Sequence, residues 1–175
     1  MFIEQLRQRR SIRKYSGDPL APTQVAGLEE ALLRAPSSRS LNPWEFVFVD
    51  DPEVLARLAR AKPHGSSFLA GAALGVVVCG DPAVCDVWVE DCSIATIFLH
   101  LAAQDLGLGS CWIQIRERPH DERQSAEEYV RKVCEIPERL RVLAIVAVGR
   151  PAEERAGHPE EQLPQGKIHR NKIES

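Results

Sequence analysis

Apolar and polar positions recur along this chain with two different periods, which separate helices from strands. Apolar residues three or four positions apart mark amphipathic helices, whereas alternation or a short unbroken apolar run marks strands. The pattern predicts five helices, over residues 2–8, 24–34 (with Thr23 as N-cap), 53–61, 87–106 and 125–134. It predicts strands over 45–50, 74–79, 110–115 and 142–148, and a strand or extended turn over 9–15. Helices and strands therefore interleave, and we expect a single α/β or α+β domain with a sheet covered by helices.

Two parts of the pattern point beyond a single compact chain. The helix predicted over residues 87–106 is apolar over much of its circumference, as in helices buried in a core or a subunit interface. We therefore expect a homodimer built around this helix. Residues 151–166 contain prolines and almost no aliphatic side chains, so they lack the apolar surface to bury themselves. We expect residues 151–175 to form an extended C-terminal arm that packs on another surface, for instance a partner subunit.

Composition narrows the class of protein. The 175 residues, 44% hydrophobic and 27% charged, suit one domain over residues 1–175. The longest apolar runs are far shorter than the roughly 20 residues that span a bilayer, and the N-terminus has no signal-peptide pattern. We therefore expect a cytoplasmic protein without membrane contact. A net charge of −3 with dispersed basic residues argues against nucleic-acid binding. The five cysteines include no CxxC pair, so we expect inert thiols, no disulfide framework and no metal site.

Several features that could carry other chemistry have simpler structural explanations. Gly107-Leu108-Gly109 follows a predicted helix and precedes a strand, the reverse of the order in a dinucleotide-binding loop, so these glycines are expected to end the helix. No GxSxG motif marks a serine hydrolase. We expect His100 to be a satisfied core or interface residue. The adjacent carboxylates Glu90 and Asp91, like those at 127 and 128, are expected on solvated helix faces.

One local basic cluster stands out from this weakly acidic background. Arg9, Arg10 and Arg13, with Ser11 between them, place three guanidinium groups and a hydroxyl within five residues. Guanidinium groups match phosphate oxygens in pairs and stay charged. A second polar stretch, residues 36–44, follows one predicted helix later. Together the two stretches indicate a bound anionic cofactor.

These stretches open an ordered set of motifs along residues 5–173. The set comprises Arg-Arg-Ser-Ile-Arg-Lys-Tyr at 9–15, Ala-Pro-Ser-Ser at 35–38, Asn-Pro-Trp-Glu-Phe at 42–46, Trp-Val-Glu-Asp-Cys-Ser-Ile-Ala-Thr at 88–96, Leu-Gly-Leu-Gly-Ser-Cys-Trp-Ile at 106–113, Val-Gly-Arg-Pro-Ala-Glu at 148–153 and Lys-Ile-His at 167–169. It resembles the FMN-dependent nitroreductase family. The resemblance implies an α+β fold with a central, mostly antiparallel sheet flanked by helices. It also implies an intertwined homodimer with one FMN in each of two interface sites.

The resemblance also assigns contacts to FMN. It implies that the phosphate and ribityl chain are held by Arg9, Arg10 and Ser11. It places Arg13 at the N1 and O2 edge of the flavin, where a fixed cation stabilises the reduced form. A further loop is expected to reach the flavin of the opposite subunit through Pro36, Ser37, Ser38 and Ser40, the last of which is often asparagine in the family.

The remaining implied contacts surround the flavin ring and the phosphate. The strand that contains Trp112 presents the backbone of Gln114 and Ile115 near flavin N5, and Ile115, where many relatives have glycine, is expected to narrow the pocket. His64 and Ser67 are expected at the pyrimidine edge. Larger members hold the phosphate with a C-terminal pair of basic residues that this chain lacks, so Lys167 or Arg150 is expected to substitute.

The implied function is an FMN-dependent oxidoreductase. It would take hydride from NADH or NADPH and reduce a small electron-poor acceptor, a nitroaromatic or a quinone, in a ping-pong cycle with no side chain as nucleophile. Two alternatives stay open: other FMN chemistry on the same fold, such as dehalogenation or oxidation, and a flavin-binding dimer without turnover. A helix-and-strand dimer without any cofactor is the remaining alternative.

Overall fold

The computed structural model describes residues 1–173, so positions 174 and 175 of the predicted arm lie outside the described residues. The α-helices of this part of the chain are α1 (Phe2–Gln8), α2 (Pro22–Leu33), α3 (Pro52–Leu58), α4 (Trp88–Asp105) and α5 (Ala126–Val133). The strands are β1 (Trp44–Val49), β2 (Leu74–Gly80), β3 (Gly109–Gln114) and β4 (Arg141–Gly149). Short 3-10 turns lie at Ser38–Ser40, Ser67–Gly71, Glu160–Gln162 and Gln165–Lys167. The predicted order of helices and strands is confirmed.

The four strands form one sheet in the order β1-β2-β4-β3, and every neighbouring pair is antiparallel. β2 and β4 are the central strands, with Leu74 opposite Val148. Every residue of β2 is buried, as is every residue of β4 after Arg141. Burial on both faces explains why these two strands read as unbroken apolar runs. The antiparallel sheet with helices on its faces confirms the α+β class.

Each face of the sheet carries its own apolar core. On one face α3 and α5 pack on the sheet, and the core contains Leu55, Leu58, Val130, Ile113, Ile115 and Ile145. On the other face α2 and α4 pack on the sheet, and the core contains Leu28, Leu32, Leu99, Val76, Val78 and Val146. Among residues 1–173, no helix combines the length and the apolar content needed to cross a bilayer.

Some local predictions were wrong for identifiable reasons. α2 begins at Pro22 and Thr23 lies inside it, because proline suits the first helical position and the Gln24 side chain accepts the Ala21 amide at 3.1 Å. Of the two alternatives for the stretch 9–15, a strand or an extended turn, only the second agrees with the structure: the stretch is extended and forms isolated bridges at Ser11 and Tyr15. Glu127 is largely buried, because it pairs with Arg141 across 2.7 Å.

Candidate functional site

The arginine segment, residues 9–13, runs beside the first residues of β3. Ser11 forms a parallel bridge with Ser110, and the Ile12 amide donates to the Ser110 carbonyl at 3.1 Å. Ile12 is buried against Gly109, where an added Cβ would lie 2.8 Å from the Ile12 Cβ. The polar side chains on either side of Ile12 stay at least partly accessible. One apolar residue among cations therefore anchors the whole segment to the sheet edge.

His100 contacts Ser110, the strand residue on which the arginine segment lies. It projects from α4, is 8% exposed, and its Nδ1 lies 2.7 Å from the Ser110 hydroxyl. Burial, with a smaller contribution from the Arg9 charge, lowers the pKa of His100 from 6.5 to about 4. The imidazole is therefore neutral near pH 7, and the prediction of a satisfied core residue is confirmed.

The first residues of the C-terminal arm close over the arginine segment. Arg10 Nη1 donates to the Ala156 carbonyl at 2.7 Å. Glu153 accepts the backbone amides of Arg13 at 2.6 Å and Lys14 at 3.2 Å. The hydrogen bond from the Arg13 amide is the main reason that the pKa of Glu153 lies below its usual value. This part of the arm thus packs on its own chain, which the composition of residues 151–166 did not indicate.

A cavity of about 220 Å³ lies between the arginine segment, the end of α4 and the arm. Arg10 and Arg155 both line it, with the amide side chains of Gln8 and Gln104. The Glu153 carboxylate lines the cavity as well, and its Oε2 lies 3.6 Å from Arg155 Nε. The two guanidinium groups and two amides outnumber this single carboxylate, so the cavity still suits a phosphate group. Sequence reasoning missed Arg155, because the arm has no apolar period that would place any of its residues against the domain.

The two basic residues expected at this position do not line the cavity. Arg150 is exposed at the end of β4, and its carbonyl accepts the Ser16 amide. Lys167 is exposed, and its side chain makes no hydrogen bond or ion pair with the described residues. The structure therefore brings Arg155, and neither of the expected residues, to Arg10.

Arg13 points toward the turn at Ser67–Gly71. Its guanidinium carbon lies 5.8 Å from the centroid of the Phe68 ring, which is a cation–π distance. Ser67 is exposed next to this contact, and His64 is exposed in the preceding loop. The predicted pyrimidine-edge segment and the predicted ring-edge arginine therefore come together.

β3 supplies an open strand edge beside these residues. Beyond Ser110, its outer edge has no strand partner among residues 1–173, so backbone groups there are available to a ligand. Trp112 Nε1 donates to Gln114 Oε1 at 2.9 Å, and Gln114 Nε2 donates to the Arg116 carbonyl at 2.9 Å. The Ile115 side chain is fully buried in the core. Ile115 therefore does not narrow an open pocket. Its amide already donates to the Leu143 carbonyl at 3.2 Å, and its carbonyl accepts the Arg118 amide at 3.1 Å.

The loop that contains the other predicted contacts, residues 36–42, is built differently. Arg39, Ser40 and Asn42 have φ angles of 53°, 55° and 48°, a left-handed conformation that costs a non-glycine residue about 1–2 kcal/mol. Asp91 holds this shape: its Oδ1 accepts the Ser38 amide at 2.7 Å. Asp91 is 2% exposed, so its expected place on a solvated helix face was wrong. Its Oδ1 has this long-range partner, whereas its Oδ2 is buried without a hydrogen-bond partner among the described residues.

The loop and the arginine segment lie at opposite edges of the sheet. The loop leads into β1 and the arginine segment flanks β3, and these are the two outer strands. One chain therefore does not unite the two groups of predicted contacts.

The donor set at β3 fits FMN on chemical grounds. The cavity with Arg10 and Arg155 suits the phosphate, the exposed Arg13 suits the electron-rich edge of a flavin, and the open edge of β3 offers backbone hydrogen bonds. The neutral His100 adds no charge beneath the arginine segment. The residues present are therefore compatible with the cofactor that the resemblance implies.

Comparison with known proteins gives a consistent result. The model of the nitroreductase family matches residues 6–81 and 64–150. The solved structure of an FMN-dependent nitroreductase from Clostridium difficile R20291 is 39% identical, covers 98% of this chain and 99% of that chain, and superimposes with a TM-score of 0.96. An Archaeoglobus fulgidus protein, provisionally named NADH dehydrogenase/NAD(P)H nitroreductase, is 34% identical over 97% of each chain. The structure of NADPH:FMN oxidoreductase from Vibrio harveyi complexed with NAD+ is 24% identical, covers 99% of this chain and 78% of that chain, and has a TM-score of 0.84, a likeness of fold alone.

Proposed function

Because this chain belongs to the nitroreductase family, we propose that it is an FMN-dependent oxidoreductase. It takes hydride from NADH or NADPH and reduces a small electron-poor acceptor of the nitroaromatic or quinone type. The observation that carries the proposal is the arginine segment, which Ile12 fixes against β3 next to a cavity lined by Arg10 and Arg155. In this proposal the arrangement would supply a phosphate site and a ring-edge cation a few residues apart.

In this proposal the residues of the chain bind FMN and orient its ring. Arg9, Arg10, Ser11 and Arg155 would hold the FMN phosphate and ribityl chain, and Arg13 would stabilise negative charge at the ring edge. Bound FMN would supply the redox chemistry, as acceptor and then donor of hydride. The backbone at the end of β3 would position the ring. Because the cofactor performs the redox step, donor and acceptor need only enter one position in turn, which is a ping-pong arrangement.

The structure supports an intertwined homodimer for this function. The outer faces of α1 and α4 expose an apolar surface that includes Phe2 at 62%, Ile97 at 44% and Phe98 at 36%. Phe2 and Phe98 line one shared groove. A second copy on this surface would bury these side chains. We propose that the 36–42 loop of this second copy completes the site at β3, since the loop of the same chain lies at the opposite edge of the sheet. The arm beyond residue 157, with Ile168 75% exposed, is available to pack on that copy. The single domain over residues 1–175 and a cytoplasmic location stay predictions.

The test is the visible absorption spectrum of the purified protein before and after NADH or NADPH is added without oxygen. We expect flavin bands at about 370 and 450 nm that bleach when either nucleotide is added. A flavin spectrum that does not bleach would favour a flavin-binding dimer without nicotinamide turnover. No flavin binding even after reconstitution would overturn the proposal.

Substitutions assign the phosphate site within the same experiment. Arg10→Ala should lose FMN on dialysis, because it removes one of the two guanidinium groups of the cavity. Arg60→Ala is the matched control, since Arg60 is exposed at the end of α3 and lies outside the site. Reduction of a nitroaromatic, a quinone and a halogenated aromatic by the reduced protein then separates nitroreductase or quinone reductase activity from dehalogenation.

A further inference from the structure

Both carboxylate oxygens of Glu153, in the C-terminal arm, have partners elsewhere in the chain. Its Oε1 accepts two consecutive backbone amides, from Arg13 at 2.6 Å and from Lys14 at 3.2 Å. Its Oε2 faces Arg155 Nε at 3.6 Å, and the side chain is only 18% exposed. Carboxylate hydrogen bonds from backbone amides are among the stronger ones in proteins. Glu153 is therefore a fixed group, although the arm around it is largely exposed.

These contacts finish a short ladder between the arginine segment and the end of β4. The Ser16 amide donates to the Arg150 carbonyl at 3.1 Å, and the Ala152 amide donates to the Lys14 carbonyl at 2.8 Å. Tyr15 and Pro151 form an antiparallel bridge between them. The Glu153 carboxylate extends this ladder. It accepts the amides of Lys14 and Arg13, for which no backbone carbonyl of the arm serves as acceptor.

One of the two amides that Glu153 accepts belongs to Arg13, the residue proposed to face the flavin ring. The Arg13 guanidinium has no carboxylate partner among residues 1–173, and its only ring contact is Phe68 at 5.8 Å. The side-chain torsions of an exposed arginine leave its guanidinium group mobile. The position of the backbone therefore decides where the Arg13 side chain starts, and the Phe68 contact restricts where it ends. Glu153 fixes that backbone at the Arg13 amide itself.

We propose that Glu153 is a positioning residue that directs the Arg13 guanidinium at the flavin ring and so sets the preference of the site for reduced over oxidised FMN. This inference rests on the proposed function. Reduced flavin carries more negative charge at its N1 edge, so a cation held there stabilises the reduced form more than the oxidised form. If the hydrogen bonds of Glu153 only stabilised the fold, their loss would change the affinities for oxidised and reduced FMN equally.

Two pairs of variants separate the hydrogen bonds of Glu153 from its charge. Glu153→Gln removes the charge and keeps an oxygen acceptor, whereas Glu153→Ala removes both. Glu153→Asp keeps the charge, but its side chain is one methylene shorter and cannot reach both amides. Gln against Ala, and wild type against Asp, therefore compare proteins of equal charge. Glu154→Gln is the matched control, since Glu154 is the exposed neighbour and makes no hydrogen bond or ion pair with the described residues.

The measurement is the ratio of the dissociation constants of oxidised and reduced FMN, obtained from the midpoint potential of the bound flavin. We expect this ratio to be up to about tenfold lower in Ala than in Gln, because Gln keeps neutral hydrogen bonds to the backbone that Ala lacks. For a two-electron couple this is a shift of about 30 mV. Asp should fall below wild type in the same direction, and Glu154→Gln should match wild type.

The outcomes are distinct. Equal potentials for Ala and Gln, with Asp equal to wild type, would overturn the positioning role while leaving the proposed function intact. If Ala does not fold, the comparison of Asp with wild type decides alone. If wild-type protein binds no FMN, the proposed function fails first and the inference fails with it.

Discussion

Gly109→Ala tests how closely the arginine segment must lie against β3. A Cβ at position 109 would stand 2.8 Å from Ile12 Cβ, 2.8 Å from Cγ2 and 2.9 Å from Cγ1. Carbon atoms in contact lie about 3.5–4.0 Å apart. These three atoms are next to the Ile12 backbone, so no rotation of a side-chain tip relieves the overlap. The segment itself must move outward by about 0.7 Å or more.

That displacement is large on the scale of a binding site. Misplacement by about 1 Å can cost roughly 10²-fold in activity, and overpacking a buried position costs about 1–3 kcal/mol of folding free energy. The cations on both sides of Ile12 move with it. We therefore expect FMN to bind about tenfold or more weakly in Gly109→Ala, with a moderate loss of stability.

Flavin fluorescence quenching measures the first quantity and urea unfolding the second. Gly71→Ala is the matched control, because an added Cβ at Gly71 meets no atom within 4 Å. A folded Gly109→Ala protein with the FMN affinity of wild type would refute the reasoning. It would show either that β3 yields or that the segment does not hold the cofactor.

Three further predictions follow from other contacts. Arg13→Gln should leave a folded protein in which FMN reduction by NADH is slower by roughly 10²-fold, as expected for one lost electrostatic donor; unchanged stopped-flow kinetics would remove Arg13 from the ring edge. In Gly157→Ala the new Cβ would stand 1.6 Å from a backbone oxygen of α1, so the arm should detach and trypsin should cut after Arg155 about tenfold faster. Gly166→Ala, with nothing within 4 Å, should leave the cleavage rate unchanged. His100 has its pKa lowered from 6.5 to about 4 by burial, so the unfolded chain takes up the proton first. Stability should fall by up to about 3 kcal/mol as pH decreases through that window, and His100→Gln should flatten this part of the urea-unfolding profile.

The elements of the fold could be predicted because each has a local cause. β2 and β4 are buried on both faces and so read as apolar runs, while Ser125 followed by Glu128 gives α5 a capping box that the sequence displays directly. The strand order could not be derived from periodicity, since nothing local tells β4 to lie between β2 and β3. The resemblance supplied only the expectation of a mostly antiparallel sheet.

The candidate site likewise contains residues that local sequence reveals and residues that it does not. The arginine segment is recognisable because its charges are adjacent in sequence. Asp91 and Glu153 were not recognisable, because their partners at Ser38 and Arg13 lie far away along the chain. Arg155 was missed because the arm is held by hydrogen bonds and by a glycine packed on a backbone, neither of which leaves an apolar pattern.

The separation of the 36–42 loop and the arginine segment at opposite sheet edges has a genetic consequence. In the proposed dimer, a site damaged by Arg10→Ala and a site damaged only in the loop fail for reasons that lie in different chains. When the two inactive variants are mixed and exchange subunits, each hybrid holds one site with both defects and one site with none. Random pairing would make about a quarter of all sites intact. Two null alleles of this protein should therefore complement each other in one cell.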